Sequence, residues 1–335
     1  MEDYDRLRLE QLPWIEKYKP KSVKELYLED DLKDKITIFV EKQEMPNLIL
    51  TGISGIGKTC TIYALMKDLY GHYCNDAVLE INSFDGGVKI LNEDLVNFCK
   101  TRISYRRNDI GKYTNHKTVI FECADNIDER IQPQISTIME LYKKNTRFIF
   151  TCNTSANIIE SIQSKCLMIL YTRHSDKNII KKLKNILTIQ KITYDKIALD
   201  RIAELSNGDM RLAITNLQLV YNKNNNITLE NVNELCDLPQ QVVIKELFVN
   251  LIKYDLSNSL FILQSIKLKG YSNSDILLSM IYTLKSNICN DISEHIKICI
   301  YDCVAMATYR ISKGIDSSLQ MTSCLVDIVK MLKEK

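Results

Sequence analysis

Eight residues, Gly52-Ile53-Ser54-Gly55-Ile56-Gly57-Lys58-Thr59, fit the spacing GxxxxGK[ST], directly after the apolar run NLILT (47–51) and directly before the helical pattern TIYALMKDLY. Glycines at these positions let successive backbone N–H groups turn inward around phosphate oxygens. The lysine neutralises the β- and γ-phosphates, and the hydroxyl that follows it holds Mg²⁺. Gly52 through Thr59 are therefore the candidate nucleotide-binding residues, with Thr59 also a candidate metal ligand. Strand before and helix after commit the chain to an α/β fold around this loop. Three of the chain's ten glycines lie in the loop, a concentration that packing alone does not require.

Further short β-type runs follow at VLEI (78–81), TVIFE (118–122), RFIFTC (147–152) and LMILY (167–171), separated by helix-length segments. Continuous apolar runs in this alternation predict a parallel five-stranded sheet covered on both faces, within a nucleotide-binding domain over 1–172. After 172 the strand signal stops. Helical patterns at about 175–188, 196–206, 209–221 and 228–236, with Asn222–Asn226 read as a connecting loop, predict a small helical lid domain over 173–237. From Pro239 the segments VVIKELFVNLIKY, SLFILQSI, ILLSMIYTLKSNI and LVDIVKML carry apolar residues at three and four spacing, with breaks near Gly270 and Gly314. They predict an all-helical third domain over 238–335, whose stripes serve internal helix packing.

The balance of 44 Lys+Arg against 42 Asp+Glu leaves a net charge of only +2 in 335 residues. Nucleic-acid binding must then come from a local patch, and a histone-like protein is excluded. The opening MEDYDRLRLE has no apolar core for a signal peptide, and the apolar stretch Cys166–Tyr171 is far below a membrane span, so the expectation is a chain neither secreted nor embedded in a membrane. Eleven cysteines, scattered singly, read as reduced core thiols of a cytosolic or nuclear protein. Cys299 and Cys303 share a helix face without a second pair to complete a zinc site.

A P-loop needs a second strand ending in a carboxylate near the metal. The best candidate is Thr118-Val-Ile-Phe-Glu122-Cys123-Ala-Asp125, with Glu122 on the Mg²⁺ side. Where a carboxylate usually orients the attacking water stands Cys123, whose thiol is mostly neutral at pH 7 and a poor substitute.

With these residues in place, the chain from Leu12 almost to its end resembles the replication factor C small subunits, the AAA+ clamp loaders. LPWIEKYKP (12–20) looks like the signature LPWVEKYRP, and MPNLILTGISGIGKT like the family's P-loop segment. IMELYKKNTRFIFTCNTS (138–155) looks like the stretch ending in the sensor asparagine, here Asn153. IIESIQSKC (158–166) resembles the stretch ending in Ser-Arg-Cys, and NGDMRLAITNLQ (207–218) resembles the sensor 2 helix, with Arg211 facing phosphate. ENVNELCDLP and SLQMTSCL extend the likeness into the collar, the family's helical oligomerisation domain.

The resemblance implies an AAA+ domain, lid and collar in a five-subunit spiral that binds ATP and Mg²⁺ at its interfaces. Such a complex opens a ring-shaped sliding clamp and places it on primer-template DNA during replication. The implied partners are other clamp-loader subunits, the clamp and DNA, at a nuclear or other intracellular site and without a membrane. Lys17 and Tyr18 would line the adenine end. Lys58, Thr59, Glu122, Asn153 and Arg211 would serve this subunit's nucleotide, while the Ser-Arg-Cys position, here Lys165, would reach into the neighbour's site.

The departures weaken hydrolysis and DNA contact. A lysine at 165 lacks the planar fork that clamps a γ-phosphate. The family's Asp-Glu pair is Glu122-Cys123, its paired DNA-facing arginines fall at Ser136 and Thr137, and the loop after the second strand reads SFDGG (83–87) without an arginine. A non-hydrolysing ATP-binding scaffold subunit is therefore the alternative to a motor role. One region, 100–117, carries Lys100, Arg102, Arg106, Arg107, Lys112 and Lys117 against Asp109, a net +5 with Tyr105 and Tyr113 interleaved. It fits a DNA or clamp contact through Arg102, Arg106, Arg107 and Lys112, and equally a solvated loop. The Lys181, Lys182, Lys184 run reads as an exposed helix face.

Overall fold

Alternation along the strands explains the layers of the first half of the chain. In β1 (Leu48–Thr51), β3 (Lys117–Glu122) and β4 (Thr146–Cys152), successive side chains enter opposite cores. Leu48, Leu50, Ile120 and Ile149 join one cluster with Ile36, Ile62 and Leu65. Ile49, Val119, Phe121, Phe148 and Phe150 join the other with Leu95, Ile135 and Met139. A period of two thus gives the central strands two buried faces, which only a sheet with helices on both sides can satisfy. The stacked rings of Phe121 and Phe150, centroids 5.1 Å apart, mark the second core. The computed structural model describes residues 12–83, 93–103, 109, 112–236, 241–285, 289 and 292–333.

The sheet is parallel throughout and ordered β2-β3-β4-β1-β5, with β2 at Val78–Asn82 and β5 at Leu167–Leu170. Helix α1 (Asp30–Lys42) precedes β1, and α2 (Lys58–Tyr70), α3 (Glu93–Lys100) and α4 (Gln132–Leu141) lie in the connections between strands. All five expected strands form. The expectation of a strand buried on both faces fails at β5, where Leu167, Met168 and Leu170 are exposed, because β5 is a sheet edge paired only to β1.

Four helices follow in the same compact unit, which ends at Leu235: α5 (Asp176–Gln190), α6 (Lys196–Ser206), α7 (Met210–Asn224) and α8 (Leu229–Leu235). The expected loop over 222–226 is a correction. Asn222, Lys223 and Asn224 continue α7, and the turn comes at Asn225, whose φ of 54° suits an asparagine in the left-handed region. Lys182 is a second correction: it is 8% exposed and not on an open helix face.

The second unit, from Cys236, contains α9 (Gln241–Ile252), α10 (Leu256–Leu268), α11 (Asn273–Lys285), α12 (Glu294–Ser312) and α13 (Ser318–Lys333). Ile244, Phe248, Leu263, Met280, Ile300 and Leu325 belong to its core. Gly270 and Gly314 stand at positive φ just past α10 and α12, where the chain turns. Among the described residues no helix is long and apolar enough to cross a membrane.

Candidate functional site

The loop Gly52–Gly57 sits where β1 stops at Thr51 and α2 begins at Lys58. Gly52, Gly55 and Gly57 have φ of 150°, 78° and 89°. A Cβ on Gly52 would lie 2.6 Å from the Tyr171 carbonyl oxygen, and one on Gly55 2.0 Å from the Asp209 carboxylate. No side chain fits at either place. The Asp209 carboxylate accepts from the N–H groups of Arg211 (2.8 Å) and Leu212 (3.0 Å), capping α7, and Met210 N–H donates to the Gly55 carbonyl. Loop and α7 are thereby fastened together, and Arg211 comes to the same cavity.

Lys58 Nζ donates to the carbonyls of Gly52 and Ile53 and to Asn153 Oδ1, the last two at 3.0 Å. Burial pushes its ammonium down from the usual lysine range. Cys152, Asp125 and Cys123 act against that and Arg211 with it. These groups sit around a cavity of about 490 Å³ lined by Ile53–Thr61, Glu122, Cys123, Asp125, Asn153 and Arg211, with Tyr18, Pro20, Leu26, Tyr27, Leu28 and Ile214 forming apolar wall.

Most of the expected nucleotide residues are therefore gathered in one place. Gly52 shapes the loop from behind the lining, and Tyr18 lines the cavity. Lys17 does not line it: its Nζ lies 5.6 Å from the Tyr18 ring centroid, while Lys19 takes the wall position with its Nζ over Tyr63. A one-turn helix at Trp14–Lys17 turns Lys17 away.

Glu122 ends β3 at the cavity, its carbonyl held by Ser83 Oγ at 2.7 Å. Cys123 has φ of 54°, and its N–H donates to Thr151 Oγ1 at 3.1 Å. Burial, Asp125 and Glu122 all push its thiol up, so the group opposite the lysine is a neutral thiol and no base. Two residues on, Asp125 Oδ1 is buried in the wall without a hydrogen-bond partner among the described residues, and Oδ2 accepts weakly from Asn153 N–H at 3.4 Å. Among the cavity residues to which the sequence assigns no role at this site are Asp125, His174 and Lys182. Asp125 follows Glu122 at a spacing of three, a usable signal; the other two come from a segment far along the chain. Burial pushes the His174 ring down, against its hydrogen bond to the Ile56 backbone and the charges of Asp209 and Glu29.

Lys165 lies outside this cavity's lining. Its Nζ pairs with Glu140 at 2.8 Å and donates to the Ser136 carbonyl (3.1 Å) and hydroxyl (3.0 Å), which fixes it against α4. Of the basic region, Lys117 opens β3, is 7% exposed and bonds Thr101 Oγ1 at 2.6 Å, so it is no part of a surface patch. Lys112 pairs with Asp109 at 3.6 Å, and Arg102 is exposed. Arg106 and Arg107 lie outside the described residues, as do 84–87 of the SFDGG loop.

The chain is 32% identical to replication factor C subunit 2 of Arabidopsis thaliana over 317 residues, 94% of this chain and 92% of that one. It is 31% identical to replication factor C subunit 4 of Saccharomyces cerevisiae over 323 residues, 96% and 97% of the two chains. This chain belongs to the replication factor C small-subunit family. An archaeal member, the replication factor C small subunit of Sulfurisphaera tokodaii, is 30% identical over 334 residues, 97% of this chain and 99% of its own length. Residues 239–327 match the family model of the replication factor C C-terminal domain, so α9–α13 are the family's helical collar. Among solved structures, the RuvB Holliday junction branch migration motor of Thermotoga maritima aligns with a TM-score of 0.52 over 70% of this chain and 80% of that one. At 14% identity it bears on the AAA+ fold alone.

Proposed function

We propose that this replication factor C family member is a clamp-loader subunit that binds ATP·Mg²⁺ and helps place a sliding clamp on primer-template DNA. The observation that carries it is the loop itself. Two glycines whose Cβ atoms would collide with the Tyr171 backbone and Asp209 leave room only for bare backbone, and Lys58 converges on the same cavity with Asn153 and Arg211. The residues fit the absent group: the orphan oxygen of Asp125, the carboxylate of Glu122 and the Thr59 hydroxyl all line the cavity and suit a hard cation.

In this reading the backbone N–H groups of 53–58 and the Lys58 ammonium hold the phosphates. Thr59 and Glu122 hold Mg²⁺, Asn153 orients Lys58, and Arg211 brings α7 onto the nucleotide. Held there, the metal would offset phosphate charge. Residues 1–172 form the nucleotide-binding domain, 173–237 the lid and 238–335 the oligomerising collar of a hetero-pentamer. The chain acts wherever its cell replicates DNA.

Cys123 favours the second reading, a non-hydrolysing ATP-binding scaffold subunit of the same kind of complex, because a neutral thiol at its position is a poor acceptor for a proton from water. Two experiments test these readings: co-purification with a tagged chain, scored for other clamp-loader subunits and a ring-shaped clamp, and nucleotide titration of Lys58→Ala, which abolishes binding. A stable monomer active without partners, or equal affinity of Lys58→Ala and wild type, overturns the proposal.

A further inference from the structure

The cavity contains a buried cation for which the phosphate chemistry has no use. Lys182, on α5, is 8% exposed and lines the same cavity as Lys58. Its Nζ donates to the Tyr18 carbonyl at 2.9 Å and lies 5.5 Å from the Tyr27 ring centroid. The two lysines feel different neighbours. Lys58 Nζ donates to Gly52, Ile53 and Asn153, whereas Lys182 Nζ donates to Tyr18 and faces the Tyr27 ring. They therefore occupy different parts of the cavity. Beside Lys182 stand Tyr18 and Tyr27, and Pro20, Leu26 and Leu28 also line the cavity, an apolar lining that suits a flat base and not a phosphate.

An ammonium carries three N–H donors and no acceptor, and burying one is costly unless its donors are used. The Tyr18 carbonyl takes one donor of Lys182. The Tyr27 ring offers its face to the charge but no lone pair in the plane of a base.

We propose that Lys182 is a base-specificity residue: its Nζ donates a hydrogen bond to an acceptor nitrogen on the purine edge of the bound nucleotide, with the Tyr18 carbonyl fixing its direction. This rests on the nucleotide reading of the P-loop. Base recognition then couples the segment around Tyr18 to α5, two elements 164 positions apart in sequence that also meet where Gln190 Nε2 donates to the Tyr18 hydroxyl.

The test titrates the full-length chain with ATP and with its 1-deaza, 3-deaza and 7-deaza analogues, each lacking one ring-nitrogen acceptor, by displacement of a fluorescent nucleotide. In the wild type, one analogue binds roughly 10-fold or more weakly than ATP, the loss of one hydrogen bond to a charged donor. Lys182→Met lowers ATP affinity by a similar factor and binds that analogue as well as it binds ATP. A lysine that merely braces Tyr18 would weaken all four nucleotides alike in Lys182→Met and leave each analogue's penalty in place, which overturns the proposal. So does unchanged ATP affinity in Lys182→Met. Should that variant not fold, the wild-type series alone decides: four equal affinities refute a hydrogen bond to the ring. Lys58→Ala separates the two readings. If it binds ATP normally the P-loop reading is lost, whereas loss of binding in Lys58→Ala beside an indifferent Lys182→Met defeats base reading only.

Discussion

Cys123 occupies the position from which water would be activated, and burial with two neighbouring carboxylates keeps its thiol protonated. Cys123→Glu therefore raises ATP turnover by about 10²- to 10⁴-fold in the assembled complex, the usual worth of a positioned base, provided a neighbour's finger is in place. Unchanged turnover would mean that another group positions the water, and Asp125 is then the carboxylate to test. His116 provides a residue-scale prediction for stability. Its ring is 5% exposed, Nδ1 bonds Thr114 Oγ1 at 2.7 Å and Nε2 has no partner, while burial and Arg147 push it down to about 4. The unfolded chain titrates it near 6.5, so between these values the unfolded state binds more protons. Stability is fully present above pH 6.5 and falls as pH drops through 4, by roughly 3 kcal/mol at most. Urea unfolding at pH 7 and pH 4.5 checks this. The wild type loses more stability than His116→Gln over that interval.

At the scale of elements, the P-loop meets α7 at one glycine, Gly55, which the Asp209 carboxylate touches and whose carbonyl accepts from Met210 N–H. Asp209→Ala removes the cap of α7 and costs about 1 kcal/mol in urea unfolding. Gly55→Ala places a Cβ 2.0 Å from Asp209 Oδ1 at a φ of 78°, so it displaces the cap and strains the loop together. Because the two changes act through one contact, Gly55→Ala costs less in the Asp209→Ala background than in the wild type, a departure from additivity that the double mutant measures directly. Strand β5 raises a different issue. Its outward Leu167, Met168 and Leu170 read in sequence as core and stand in solvent as an edge, since nothing pairs with their strand beyond β1.

For the molecule in its assembly, we propose that Lys165, at the position the family resemblance directs to the neighbour's site, couples the subunits. Glu140 and Ser136 hold its ammonium against α4. A single ammonium offsets charge at a γ-phosphate but cannot donate the two parallel hydrogen bonds of a guanidinium, so it supports assembly better than the hydrolytic transition state. Lys165→Ala weakens ATP-dependent association with the neighbouring subunit, read by sedimentation. Lys165→Arg raises turnover at the neighbour's site, measured with this chain's own Lys58 mutated. If neither assay changes, Lys165 faces no nucleotide.

Local pattern alone carried the strand-loop-helix unit from Leu48 to Tyr70, the five-strand count and the helical second half, because two- and 3.6-residue periods and a fixed glycine spacing are readable without knowing what packs where. The substitutions at Cys123 and Lys165 were equally legible, each being a residue type at a fixed offset from a motif. What pattern could not carry was partnership at a distance. Lys182 lies in a run of lysines that resembles a solvated helix face, and only its meeting with the Tyr18 carbonyl buries it. Lys17 and Lys19 differ by two positions, and the turn after Trp14 decides which of them lines the cavity. Asn222–Asn224 look like loop until α7 continues through them to Asn225. A side chain's environment is set by the elements that approach it from elsewhere in the chain, and that approach is a property of the tertiary structure.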